Sequence, residues 1–384
     1  MKIPKSITRI TAVVFGTIAC IGAVFAAGTL STDGSGNLQF DGTNVCLADG
    51  SNAYDYVIYK EGNNFKAKNN SGAVEFSNTD SDTVIDSVLS AVDSNGGGYV
   101  LIKAGEYNTT FTVPDNTILE GEGEKTILYA PTGSYSHQSY LRSNAIIRNL
   151  QLNGKYKQVT GVYVYAGTGV HIRNFKVENV FFNGTSSAVS VNGADTTSDA
   201  TIRYGQVLNN IAKDVTQFGG VEGNQAGDFE GTSDIVFRGN IVYNATGSEF
   251  FDYNHGTNVH LINNIFVNDN TSYLDDEAID MNGNNPGAIV KGNTIVGCFA
   301  RGIRPPKKNS IIEGNYIEFI ACTEKSEANL IDLWNGGPGL NHSPSFHTVS
   351  NNVLKGGANA INLAGASHNT VTGNTIINSK RGIN

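Results

Sequence analysis

A short apolar unit built around an asparagine recurs through most of the chain, and it constrains the fold more than any other feature. It reads IIRNLQLNG at 146, VHIRNFKVENV at 170, VLNNIAKDV at 207 and IVFRGNIVYN at 235. It continues as VHLINNIFVN at 259, AIVKGNTIVG at 288, SIIEGNYIEF at 310, HTVSNNVLKG at 347 and NTVTGNTIIN at 369. The central markers are Asn149, Asn174, Asn210, Asn240, Asn264, Asn293, Asn315, Asn352 and Asn374, separated by 22 to 37 residues. A fixed minimum with a variable excess describes a β-solenoid, in which each coil uses a constant number of strand residues and the loops vary. The alternation around each marker sends β-branched residues into a narrow core. Stacked asparagines at a turn can form an amide ladder that also binds backbone groups. A leucine-rich repeat would place Leu at fixed offsets, and this chain does not.

Composition agrees. Gly is 45 of 384 residues, Pro only 8, and charged residues 16%, a turn-rich and β-leaning profile. The formal charge of −9 argues against nucleic-acid binding through a basic surface. At the N-terminus Lys2, Lys5 and Arg9 precede the apolar run ITAVVFGTIACIGAVFA, with Val24 and Ala26 suited to cleavage before Ala27. Residues 1–26 therefore read as a secretory signal peptide, which implies a secreted or cell-surface protein with no membrane span after cleavage. The alternative is an uncleaved anchor. Beyond that segment lie Cys46, Cys298 and Cys322, an odd count that reads as buried thiols rather than a disulfide framework.

Ahead of the repeats, DTVIDSVLSAVDSN at 82–95 places Val84, Ile85, Val88, Leu89 and Val92 at helical spacing. It runs into GGGYVLIKAGEYNTTFTVPDNTILEGEGEKTILYAP. This helix, glycine run, strand and NTILEGEG segment resembles the entry of the pectin-lyase-like proteins. The resemblance implies an all-β fold, a right-handed parallel β-helix with an N-terminal capping amphipathic helix, over 81–384. Residues 27–80, with YDYVIYKEGNNFKAKN alternating like a hairpin, form a small β-rich leader. The chain ends in RGIN, in phase with RGIR at 301–304, so it stops where a new coil begins and shows no C-terminal cap.

A second strand precedes each marker: GVYV at 161, AVSV at 188, GVEG at 220, FFDY at 250, AIDM at 278, GIRP at 302, LIDL at 330 and AINL at 360. Strand alternation points the third residue of each outward, giving a file of Tyr163, Ser190, Glu222, Asp252, Asp280, Arg304, Asp332 and Asn362. Like charges directly across strands destabilise a sheet, so an acidic file needs a reason. One reading is an ion-paired ladder, Asp280–Arg304–Asp332. The other is a substrate groove. YLDDEAIDM adds Asp275, Asp276 and Glu277 from the loop before Asp280, FFDYNHG sets His255 beside Asp252, and RGIRPPKK supplies Arg301, Arg304, Lys307 and Lys308. On the groove reading the catalytic candidates are Asp252, His255, Asp280, Arg301, Arg304 and Lys307. Glu222, Tyr253, Asp332 and Trp334 are the substrate contacts, Trp334 as an indole that stacks on a sugar. Asp252, Asp276, Glu277 and Asp280 offer oxygen ligands for calcium.

FFDYNHGTNVHLINNIFVND resembles the Asp-bearing strand of pectate lyases, and RPPKK is similar to their Arg-x-Pro motif through Arg304 and Pro306. DDEAIDM resembles the acidic strand of polygalacturonases. The pectate lyase Trp-Ile-Asp-His segment, the polygalacturonase Gly-His-Gly and Arg-Ile-Lys partners, and the Asp-Pro-His of mannuronan-type epimerases are absent, so no single family's site matches throughout. The resemblance implies a carbohydrate-active enzyme whose partner is a polysaccharide, with an acidic one cleaved by β-elimination as the leading expectation. Calcium would neutralise the uronate, and an arginine or Lys307 would act as base. Two alternatives stay open: a glycoside hydrolase with paired carboxylates, and a non-catalytic glycan-binding or spike-like surface protein.

Overall fold

Each later coil turns one corner at a residue pair, Gly or Asn followed by Asn. The first member takes a left-handed backbone: φ is 54° at Asn209, 69° at Gly239, 55° at Asn263, 66° at Gly292, 64° at Gly314, 56° at Asn351 and 65° at Gly373. Gly and Asn tolerate that region better than other residues. The second member turns its amide inward. Asn210, Asn240, Asn264, Asn293, Asn315 and Asn352 each donate from Nδ2 to Oδ1 of the next marker at 2.9–3.0 Å, ending on Asn374. The same Oδ1 atoms accept the preceding marker's backbone N–H. A buried polar file is tolerable because its groups are paired. Asn149 and Asn174 were expected in this ladder and are not in it. Both occupy left-handed corner positions instead, at φ 55° and 58°.

The computed structural model describes residues 30–32, 38–40, 43–44, 54–131, 136–155, 159–193, 200–222, 231–247, 249–254, 256–269, 274–281, 287–320, 328–333 and 344–384. Among them lie a long sheet of 25 strands and a second sheet of 11, whose strands pair in parallel from coil to coil. This is a parallel β-helix. The site belongs to the second sheet, where β1 (Gln217–Glu222), β2 (Phe251–Asn254), β3 (Leu274–Asp280), β4 (Phe299–Arg304), β5 (Asn329–Asp332) and β6 (Asn359–Asn362) follow one another as neighbours. The closing RGIN keeps the phase read from sequence, with Arg381 over Asn359 and Ile383 over Ile361.

Helix α1 (Ser81–Ser94) begins at Asp80, whose side chain accepts from the Asp82 backbone N–H, and buries Val84, Ile85, Val88, Leu89 and Val92. Those residues share one core with Tyr56, Ile58, Phe65 and Ala67 from the expected leader. The leader's hairpin, Tyr56–Glu61 with Asn64–Asn69, pairs through Tyr56–Ile58 with Val100–Ile102 and so continues the long sheet. The expected signal peptide lies outside the described residues. No helix among the described residues is long and apolar enough to cross a membrane. Cys298 was expected as a free buried thiol, but it is disulfide-bonded.

At a second corner His347 stands between Ser310 and Asn369 of the neighbouring coils. Its Nδ1 accepts from the Ser310 backbone N–H at 3.2 Å, and its own N–H donates to Asn369 Oδ1. Nδ1 accepts only when unprotonated, and burial pushes the imidazole pKa from 6.5 down to about 4. Between those values the unfolded chain binds a proton that the folded chain refuses, so stability falls as pH drops from 6.5 toward 4. The loss is on the order of 3 kcal/mol. His347→Asn keeps an acceptor without a titrating group. Urea midpoints at pH 7 and pH 4.5 should therefore differ less in this variant than in wild type; an equal difference would rule out His347 as a source.

Candidate functional site

Register decides which side chains meet. Asp252 pairs with Asp280, and Asp280 with Arg304, one strand spacing apart at each step. Glu222 was expected beside Asp252 but is not: Gly220 stands between Ser190 and Asp252, and Glu222 pairs with Asn192 and Asn254 two residues further along. Aligning GVEG with FFDY displaced the strand, because the matching segment is Phe218–Val221.

A second polar file lies beside the first. Glu277 is part of β3 and not of a preceding loop; it pairs with Arg301, Arg301 with Asn329 and Asn329 with Asn359. Each of these residues precedes two consecutive buried residues, Ala278–Ile279 on β3 and Leu330–Ile331 on β5. Alternation breaks at that double step, so polar groups stand on both sides of it. Glu249 precedes Phe250 and Phe251 in the same way, and sequence reasoning missed it. The signal was present as polar residues three apart around an apolar pair.

The two files form one network. Glu277 is fully buried, and its Oε1 accepts from Nη1 of Arg301 and, at 3.3 Å, from Nη1 of Arg304. Arg304 Nη1 also lies 3.6 Å from Asp280 Oδ2. Arg301 Nε bonds Asp332 Oδ2 at 2.7 Å, and Asp332 further accepts from Asn329 at 3.1 Å and Asn362 at 2.8 Å. The expected Asp280–Arg304–Asp332 ladder is thus a zigzag in which Arg301, not Arg304, holds Asp332. Asp332 is buried and holds Arg301 in place. Tyr253, expected as a sugar contact, is fully buried and donates its hydroxyl to the Gly256 carbonyl oxygen.

Asp280 is a buried acid held well above the usual carboxylate range. Burial raises its carboxyl from 3.8 to about 7; Arg304 opposes the rise, and Glu277, Asp252 and Glu249 add to it. Its Oδ1 is buried without a hydrogen-bond partner among the described residues. Lys307 is half-buried, and burial lowers its amine pKa. His255 and Trp334 lie outside the described residues, as does the side chain of Asp276.

Glu249, Glu277 and Asp280 place carboxylate oxygens within 4.8 Å of one another, a spacing that a cation could bridge. The charges fit less well. Arg304 already sits against Glu277 Oε1 and Asp280 Oδ2, so a cation here would share these two carboxylates with a guanidinium, with Asp280 Oδ1 left to it.

No protein-family model and no curated protein matches the sequence. Solved structures do match. The A-module of mannuronan C-5 epimerase AlgE4 from Azotobacter vinelandii superposes with a TM-score of 0.59 at 17% identity, over 79% of this chain and 93% of that one. The AlgE6 A-module gives 0.56 at 18% identity, over 79% and 92%. The tailspike protein gp49 of Acinetobacter baumannii bacteriophage Fri1, a capsular polysaccharide depolymerase, gives 0.50 at 12% identity, over 79% and 60%. The fold is that of the parallel β-helix proteins. At these identities the likeness carries the fold and not the activity.

Proposed function

We propose that this protein is a carbohydrate-active enzyme that hydrolyses glycosidic bonds of a polysaccharide on the outer face of the second sheet. One observation carries the reading: Asp280, a desolvated carboxyl, stands in register between Asp252 and Arg304. A carboxyl that keeps its proton near neutral pH is a general acid, and a second carboxylate one strand spacing away, about 4.8 Å, approaches the separation of retaining hydrolases. Asp280 donates its proton to the glycosidic oxygen as the C1–O bond breaks, while Asp252 attacks C1. Asp280, now a carboxylate, then takes a proton from water, whose oxygen displaces Asp252 from C1. That the similar structures are described as acting on mannuronan and on capsular polysaccharide supports the substrate class.

The balance of charge disfavours a uronate at the cleaved bond. With Asp280 protonated, Glu249, Asp252, Glu277 and Asp332 still outnumber Arg301 and Arg304, and both arginines are engaged by carboxylates. A neutral sugar there fits better. β-Elimination of an acidic polysaccharide is the second reading, favoured by the lowered amine pKa of Lys307, which suits a base. In the same account the coils are right-handed, α1 closes the N-terminal end of the stack, and residues 1–26 direct export.

The test is a screen of the purified chain on glucomannan, dextran, alginate and polygalacturonate, with and without EDTA. Hydrolysis predicts new reducing ends, no unsaturated ends, and indifference to the chelator. Unsaturated ends on alginate or polygalacturonate would establish the lyase instead, and loss with EDTA would restore calcium.

A further inference from the structure

On the face that carries the acids, the same register file continues toward the N-terminus into aromatic rings. Tyr140 pairs with Tyr163, Tyr163 with Ser190, Ser190 with Gly220, and Gly220 with Asp252. Tyr163 therefore stands three strand spacings from Asp252 and four from Asp280, about 14 Å and 19 Å along the axis. The residues between carry only a hydroxymethyl group and a hydrogen, so nothing bulky from this file separates the rings from the acids.

The rings are organised. Tyr163 stacks on His137 with centroids 3.8 Å apart and planes 4° from parallel. On the same strand Tyr165 lies nearly parallel to Tyr163, 5.5 Å away and tilted by 10°. Tyr140 meets Tyr163 edge-on at 5.7 Å. Tyr165 is 40% exposed. Burial lowers the imidazole pKa of His137, so the stack is uncharged at neutral pH.

We propose that His137, Tyr140, Tyr163 and Tyr165 form a distal subsite for a polysaccharide chain lying along the axis, stacking against the C–H face of a sugar three to four residues from the cleaved bond. The inference rests on the glycan-cleavage reading for its substrate class. A pyranose chain advances by roughly one strand spacing per residue, so its repeat matches the file. His137 and Tyr165 flank the Tyr163 ring, so the exposed Tyr165 ring offers the face that suits the apolar side of a sugar, the other rings hold it in place, and tyrosine hydroxyls suit the sugar's edge. An uncharged platform fits a neutral glycan better than a polyanion.

Affinity electrophoresis of the full chain through native gels cast with glucomannan, dextran or alginate reads binding without turnover. Wild type and Asp280→Asn should be retarded alike by a neutral glycan. Tyr165→Ala and Tyr163→Ala should bind about five- to tenfold more weakly, the worth of one aromatic contact. Tyr243→Ala removes a similarly exposed ring on the other sheet and should change nothing. If wild type cleaves a glycan but both tyrosine variants are retarded equally, the subsite is wrong and the catalytic reading stands. If retardation depends on Tyr165 and no glycan is cleaved, the subsite stands and the catalytic reading falls. Absence of retardation by every probe overturns the subsite.

Discussion

Asp280→Asn should lower glycan cleavage by about a hundred- to ten-thousandfold, the usual contribution of a general acid, while leaving retention on glycan gels intact. The same variant should be more stable than wild type at neutral and alkaline pH. Folding raises the carboxyl from 3.8 to about 7. Between those values the folded chain binds the proton more tightly than the unfolded chain, so stability is lost as pH rises through the window. Above it the ionised carboxylate costs roughly 3–5 kcal/mol, which an amide of the same shape does not. A gain in stability coupled to a loss of turnover separates a catalytic acid from a structural one. A purely glycan-binding protein would show the gain with no turnover to lose. A variant that keeps full activity would remove Asp280 from the mechanism.

Glu277→Gln should produce the largest loss of stability at the site. The carboxylate is fully buried and accepts from two half-buried guanidinium groups, so neutralising it leaves their charge partly uncompensated. Breaking such a pair from one side costs about 3–5 kcal/mol, whereas an exposed pair costs about 0–1 kcal/mol. A second effect identifies the network. Glu277 helps hold the Asp280 carboxyl up, and Arg304 pulls it down. Without the Glu277 charge Arg304 acts on Asp280 alone, so the alkaline limb of the pH–activity profile should move to lower pH. Urea denaturation and the profile measure the two effects separately. A loss below about 1 kcal/mol with an unmoved limb would show that Glu277 is solvated and uncoupled.

Much of this architecture was readable before any coordinates. Asn is among the few residues that suit a left-handed corner, and its amide can both donate and accept along a stack, so recurring Asn marked the coils. That versatility also caused the errors at Asn149 and Asn174, which fill the left-handed slot rather than the ladder. The file of Asp252, Asp280 and Arg304 was legible because outward residues alternate along a strand. Glu249 was missed, and Glu277 assigned to a loop, because alternation fails where two successive residues face the core. Glu222 was misplaced because GVEG and FFDY share an apolar pattern at a register two residues off. Ion pairing was the least legible level: Arg301 rather than Arg304 reaches Asp332, a choice set by side-chain reach that no spacing encodes.

The protonation state of Asp280 is the centre of this account and can be measured without knowing the sugar. Carboxyl carbon-13 NMR of protein labelled at aspartate, titrated from pH 3 to pH 9 and compared with Asp280→Asn, assigns one resonance to Asp280 by difference. The account predicts a midpoint near 7, set by burial and the neighbouring acids. A midpoint near 4 would mean a solvated or metal-bound carboxylate, and Asp280 would then have no proton to give.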